Sequence, residues 1–69
     1  MTGRIFKHFK GDLYQIVCEA HDSEDPSRIL IVYCHWETGK TWVRPKEMFL
    51  ENVERDGYSG PRFRLVEAT

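Results

Sequence analysis

The chain has 69 residues, of which 41% are hydrophobic and 13% aromatic, and its formal net charge is −1. That is one domain at most, residues 1–69; it is too apolar and too weakly charged to be disordered. It leaves little space for a buried active site, because a domain of about 60 residues buries only about 60% of its unfolded surface. No apolar run approaches the roughly 18 residues of a membrane span. Met1 to Lys10 lacks the apolar stretch of a signal peptide, so a cytoplasmic protein with no membrane partner is expected.

Arg4 to Phe9 is aromatic-rich and reads as a short strand leading into the Lys10-Gly11-Asp12 turn. Leu13 to Ala20 is β-branched and aromatic, and predicts a strand. His21 to Ser27 is polar and acidic and contains Asp25-Pro26, which predicts a loop, because proline keeps its predecessor out of the helical region. Arg28 to Trp36 is the strongest strand; its nearly continuous apolar run implies that both faces meet something, one the core and the other a partner. Glu37 to Lys40 predicts a tight turn with Gly39 at positive φ, and Thr41 to Arg44 the returning strand. Pro45 ends that strand and suits the first turn of a helix, expected over Lys46 to Glu51 for one or two turns. Asp56-Gly57 and Gly60-Pro61 bracket another turn. Arg62 to Val66 alternates polar and apolar, as a half-buried edge strand does.

Four to five hairpin-linked antiparallel strands with one short helical turn close most economically into a small SH3-like barrel, because closure protects the edges. An open sheet with the helical turn packed across it is the alternative. Met48 and Phe49 are adjacent large apolar residues in a charged stretch, so both are expected to plug one end of the core with Phe63 nearby.

Several segments resemble one family. His8-Phe9-Lys10-Gly11, Tyr14, Val17, His21 and Ser23-Glu24 match its first half. Ile31-Val32-Tyr33, Trp42-Val43-Arg44-Pro45, Met48-Phe49 and Pro61-Arg62-Phe63 match its second. The chain resembles, over residues 6–64, the small bacterial domain of unknown function 1653. The tryptophan-valine-arginine-proline motif followed by methionine-phenylalanine is the more specific part. The resemblance implies a compact, bacterial-type, β-rich protein and brings no reaction, cofactor or partner. The chain departs from the family pattern at Cys18, Cys34 and His35.

Chemistry-bearing combinations are sparse. Cys18, His21, Cys34 and His35 include zinc-ligand types, but adjacent Cys34 and His35 on a strand point to opposite faces. Cys18 is expected opposite about Ile31 and Cys34 opposite about Gln15, so neither a metal site nor a disulfide is expected and the thiols read as reduced. A Cys34, His8 or His21, and Glu19 set lacks a nucleophile elbow or a helix N-terminus behind the cysteine. Gly39-Lys40-Thr41 imitates the end of a phosphate loop, but Cys34 stands where the first glycine belongs. No catalytic residue, cofactor or enzymatic role is assigned.

Recognition is the reading that remains. Acids crowd the connecting stretches (Glu19, Asp22, Glu24, Asp25; Glu47, Glu51, Glu54, Asp56), while the strand-like stretches carry the Lys and Arg residues. Lys and Arg interleave with aromatics in Phe6-Lys7-His8-Phe9-Lys10, Trp42-Val43-Arg44-Pro45-Lys46 and Arg62-Phe63-Arg64. Read structurally, those aromatics are core and the cations a solvated face. Read functionally, Trp36 and Trp42 flank one turn as cross-strand neighbours, with Arg44 on the face of Trp42 and Tyr14 on an adjacent strand. The predicted ligand-binding groove is Tyr14, Trp36, Trp42, Arg44 and Lys46. A peptide or protein partner fits such a groove first, single-stranded nucleic acid second, and a homodimer through an edge strand is a third class.

Overall fold

The computed structural model describes residues 2–66. Seven strands and one helical turn follow in chain order: β1 (Ile5–His8), β2 (Leu13–His21), β3 (Ile29–His35), β4 (Thr41–Pro45), α1 (Lys46–Phe49), β5 (Asn52–Arg55), β6 (Tyr58–Pro61) and β7 (Phe63–Val66). The main sheet is antiparallel with the order β4-β3-β2-β1-β7, and β5 and β6 form a separate two-stranded hairpin. The mainly β, antiparallel class with one short helix matches the sequence expectation. Barrel closure is not part of this pairing: among the described residues no ladder joins β4 to β7.

Each hairpin has a local cause. Between β1 and β2, Gly11 takes φ 112°, where a side chain would be strained, and donates to the His8 carbonyl at 2.8 Å. Between β5 and β6, Asp56 and Gly57 both take positive φ, 53° and 80°, the pattern of a two-residue type I′ hairpin turn. That hairpin is a correction to the sequence reading, which saw only a turn here. Its flanks, Asn52-Val53-Glu54-Arg55 and Tyr58-Ser59-Gly60-Pro61, lack the β-branched alternation that marks a strand.

A bulge governs β2. Ile16 faces Tyr33, but Cys18 faces Val32, so Val17 has no partner of its own. The extra residue moves Cys18 one position from its expected partner Ile31, while Cys34 faces Gln15 as expected. Before the bulge Tyr14 and Ile16 share the face of Tyr33; after it Glu19 shares the face of Ile31. Glu19 is thereby brought to Lys46 at the start of α1, 3.4 Å between carboxylate and ammonium.

The core lies between this sheet face and α1. Phe6, Ile16, Ile31, Tyr33, Phe49 and Phe63 are buried, and Phe49 and Ile31 are wholly inaccessible. Phe49 stacks flat on Phe63, with centroids 4.1 Å apart and planes 6° apart, and meets Phe6 and Tyr33 edge-on at 5.3 Å each. Met48 does not join it and is 42% exposed. Neighbouring residues on a helical turn point about 100° apart, so only one of the two can face the sheet. Beyond α1, Arg62 binds back to Glu51 twice, through its N–H to the carbonyl at 3.0 Å and through Nη2 to the carboxylate at 2.7 Å.

Truncating Phe49 removes the ring that joins α1 to three strands. Phe49→Ala should cost about 3–5 kcal/mol, against a total near 3–10 kcal/mol at about 0.05–0.15 kcal/mol per residue. Urea unfolding followed by circular dichroism is expected to show a folded baseline lost or a midpoint far below wild type. An unchanged midpoint would mean that α1 is not anchored by this ring.

Candidate functional site

Register decides which side chains meet. Tyr33 faces Trp42 and Ile31 faces Arg44, so Trp42 and Arg44 of β4 lie on the core side of the sheet. Tyr14 of β2 lies on that side too, because it faces Phe6 across β1. Two residues beyond Phe6, His8 keeps the same face and stands opposite Phe63 of β7. At the end of the core not covered by α1 these residues leave an open pocket of about 200 Å³ lined by His8, Tyr14, Tyr33, Trp42, Arg44 and Phe63. At about 30 Å³ per water, that is space for roughly six or seven waters, or one side-chain-sized group.

Of the five residues predicted to form a groove, Tyr14, Trp42 and Arg44 are brought together here. Trp36 and Lys46 are not. Trp36 lies beyond the last β3–β4 pair, Cys34 with Thr41, in a turn where it is 59% exposed and donates its N–H to the Leu13 carbonyl. Trp42 pairs with Tyr33 instead, so the tryptophans are not cross-strand partners. Lys46 opens α1 and is committed to Glu19. The sequence reading missed His8, Tyr33 and Phe63. Period-two alternation from a buried Phe6 places His8 here, a residue the sequence offers as a base for a cysteine and within the interleaved Phe6-to-Lys10 stretch.

Each polar side chain of the pocket can donate a hydrogen bond. Arg44 donates from Nε to the Tyr33 hydroxyl at 3.3 Å, which orients the guanidinium and leaves the hydroxyl proton free to donate elsewhere. Arg28, Lys46 and Arg62 have carboxylate partners in Asp22, Glu19 and Glu51, whereas Arg44 makes no ion pair among the described residues. His8 accepts the Lys10 N–H at Nδ1, 3.1 Å, so its neutral ring carries the proton on Nε2. No carboxylate lines the pocket. The walls are aromatic: Tyr14 stands edge-on to Tyr33 and Phe63, and Trp42 is 47% exposed. Aromatic walls around convergent donors suit an anionic group on an apolar stem.

Electrostatics agree with this geometry. Burial lowers the pKa of His8 below its ordinary value, and the positive charges of Arg62, Arg44 and Lys10 lower it further, with Asp12 opposing. Burial raises the Tyr14 hydroxyl, with the Asp12 carboxylate adding to the effect. His35, behind Tyr14, supports the site. Its Nδ1 accepts the N–H groups of Glu37 and Thr38 at 3.3 and 3.2 Å, and its Nε2 binds Asp12 at 3.2 Å, tying the β3–β4 turn to the β1–β2 turn.

Cys18 and Cys34 are free thiols, half-buried and away from this pocket. Among the described residues no group of three or more His, Cys, Asp or Glu side chains is placed to hold a metal ion, and no helix is long and apolar enough to cross a membrane.

A titration follows from the His8 environment. Its folded pKa lies below the unfolded value of about 6.5, so the unfolded chain takes up the proton first. This contribution to stability is intact above about pH 6.5 and is lost as pH falls from there through the folded pKa. NMR of the His8 ring should give a midpoint below that of an unfolded reference peptide, and Arg44→Gln should raise it. A midpoint at or above the reference would contradict the cationic, desolvated setting.

No curated protein matches the chain in sequence. A crystal structure of a DUF1653 protein from Bordetella bronchiseptica has the same fold: TM-score 0.82 and 22% identity, over 100% of this chain and 91% of that one. The family model for DUF1653, proteins of unknown function, matches residues 4–65, and the chain belongs to that family.

Proposed function

We propose that this protein is a non-catalytic recognition module that takes an acidic group of a partner peptide, an Asp or Glu side chain or a terminal carboxylate, into the pocket of His8, Tyr14, Tyr33, Trp42, Arg44 and Phe63. One observation carries the reading. An oriented guanidinium with no carboxylate partner among the described residues sits between aromatic walls, and the other polar side chains there can donate. The bond to Tyr33 uses only Nε and leaves both terminal nitrogens of Arg44 for a bidentate contact with a carboxylate. The lining contains no serine, cysteine or carboxylate that could work with His8 as nucleophile or base, which supports binding over catalysis.

Single-stranded nucleic acid is the second reading, favoured by the exposed face of Trp42 beside Arg44, where an unstacked base could lie. The net charge of −1 weighs against a long phosphate track.

The test is an array of random twelve-residue peptides, with oligonucleotides spotted beside them, probed with the protein. Binders should be enriched in Asp, Glu or a free carboxyl terminus. Arg44→Gln, folded by circular dichroism, should weaken them roughly tenfold to a hundredfold, since hydrogen bonds to charged groups contribute about 1.5–3 kcal/mol. Trp42→Ala should weaken them as well. Binders indifferent to both substitutions would overturn the assignment of this pocket.

A further inference from the structure

A second cleft adjoins the first. It has a volume of about 220 Å³ and is lined by Lys7, His8, Phe9, Lys10, Tyr58 and Arg64 among others. The two share His8, which lines both. No acidic residue lines the second cleft, and Lys7, Lys10 and Arg64 make no ion pair among the described residues, although the chain as a whole has one more acid than base. Its aromatic floor is fixed. Phe9 stacks on Tyr58, centroids 5.3 Å apart and planes 18° apart, and the Tyr58 hydroxyl donates to the Pro61 carbonyl at 2.8 Å. That hydroxyl passes over Gly60, where an added Cβ would stand only 2.8 Å from it.

We infer that the two clefts form one binding track, and that the partner is an extended acidic peptide with one carboxylate on Arg44 and a second among Lys7, Lys10 and Arg64. This rests on the reading of the first pocket as a carboxylate site and adds the spacing that its ligand must have. The Arg44 guanidinium reaches Tyr33 on β3, and the second cleft lies by β1 and β7. Two to three strand spacings of about 4.8 Å separate β3 from β1 and β7, roughly 10–14 Å, and an extended chain rises about 3.3 Å per residue. The two acids are therefore about three to four residues apart. A peptide fits better than nucleic acid because the cations are few, enough for one or two carboxylates and too few for a phosphate track.

Fluorescence anisotropy tests this with three labelled probes. Two are acetylated, amidated peptides of equal length, one with a single glutamate and one with two glutamates three residues apart; the third is a uridine oligonucleotide. The readout is the ratio of two-glutamate to one-glutamate affinity. It should be about threefold to tenfold in the wild type, as two exposed ion pairs give, and should fall towards one in Lys10→Gln/Arg64→Gln. Both positions are exposed, so the variant is expected to fold, and circular dichroism checks it. A ratio of one in the wild type, or a ratio untouched by the double variant, overturns the two-cleft track while leaving the Arg44 pocket standing. Peptide affinities that ignore Arg44→Gln overturn the pocket itself. Oligonucleotide binding that is tighter than either peptide and lost in the double variant overturns the peptide assignment in favour of nucleic acid.

Discussion

Phe63 is the side chain on which fold and site both depend. One face of its ring lies flat on Phe49, which seats α1 on the sheet. Its other contacts are edge-on, to Tyr33, Tyr14 and His8 at 5.4, 5.7 and 5.0 Å. Those three carry the hydroxyls and the imidazole of the pocket. The core of this small domain therefore does not end at a boundary; its aromatic rings run outward until their hydroxyls and imidazole reach solvent. A chain of this size cannot spend separate residues on a core and on a cleft. The consequence is a pocket whose walls are already held in place before any ligand arrives, which lowers the entropy cost of binding.

Charge pairing is confined to a few places. Lys46, Arg28 and Arg62 are matched by Glu19, Asp22 and Glu51 around the helix, the β2–β3 loop and the β6–β7 junction. Arg44, Lys7, Lys10 and Arg64 have no such partners among the described residues, and neither do Arg4, Lys40 and Arg55. A near-neutral protein thus has one cleft, that of Lys7, Lys10 and Arg64, lined by cations and by no acid. Arg62 joins the two groups. It is ion-paired to Glu51, yet close enough to His8 to depress its protonation, and its Nε is buried without a hydrogen-bond partner.

Much of the fold was legible because β-branched runs and glycine turns are local signals. Strands β2, β3 and β4, the helical turn after Pro45 and the edge strand β7 all follow from them. What was not legible depends on registers and faces. A bulge at Val17 moves Cys18 by one partner, and nothing in Ile16-Val17-Cys18 announces it. Met48 and Phe49 have the same hydrophobic character, and only the angle between successive helical side chains decides that Phe49 is buried. Trp36 and Trp42 are symmetric about the turn in sequence, but the β3–β4 ladder ends at Cys34, so Trp36 falls outside it. The Asp56-Gly57 hairpin had a usable signal in its turn residues, masked by polar flanks. Within the site, Tyr14, Trp42 and Arg44 were readable from strand parity. Tyr33 was not, because its role arises from β1 and β3 meeting across β2, and His8 follows from strand parity only once Phe6 is known to be buried.

The account reduces to a claim about where an acidic peptide touches the protein, and amide-correlated NMR during titration with a capped two-glutamate peptide addresses it most directly. The account predicts perturbation of the Arg44 Nε–H, the Trp42 indole N–H and the backbone amides around His8 and Lys10, with the outer sheet face around Val32 and Val43 unmoved. Perturbation confined to that outer face, or none at millimolar peptide, would contradict it.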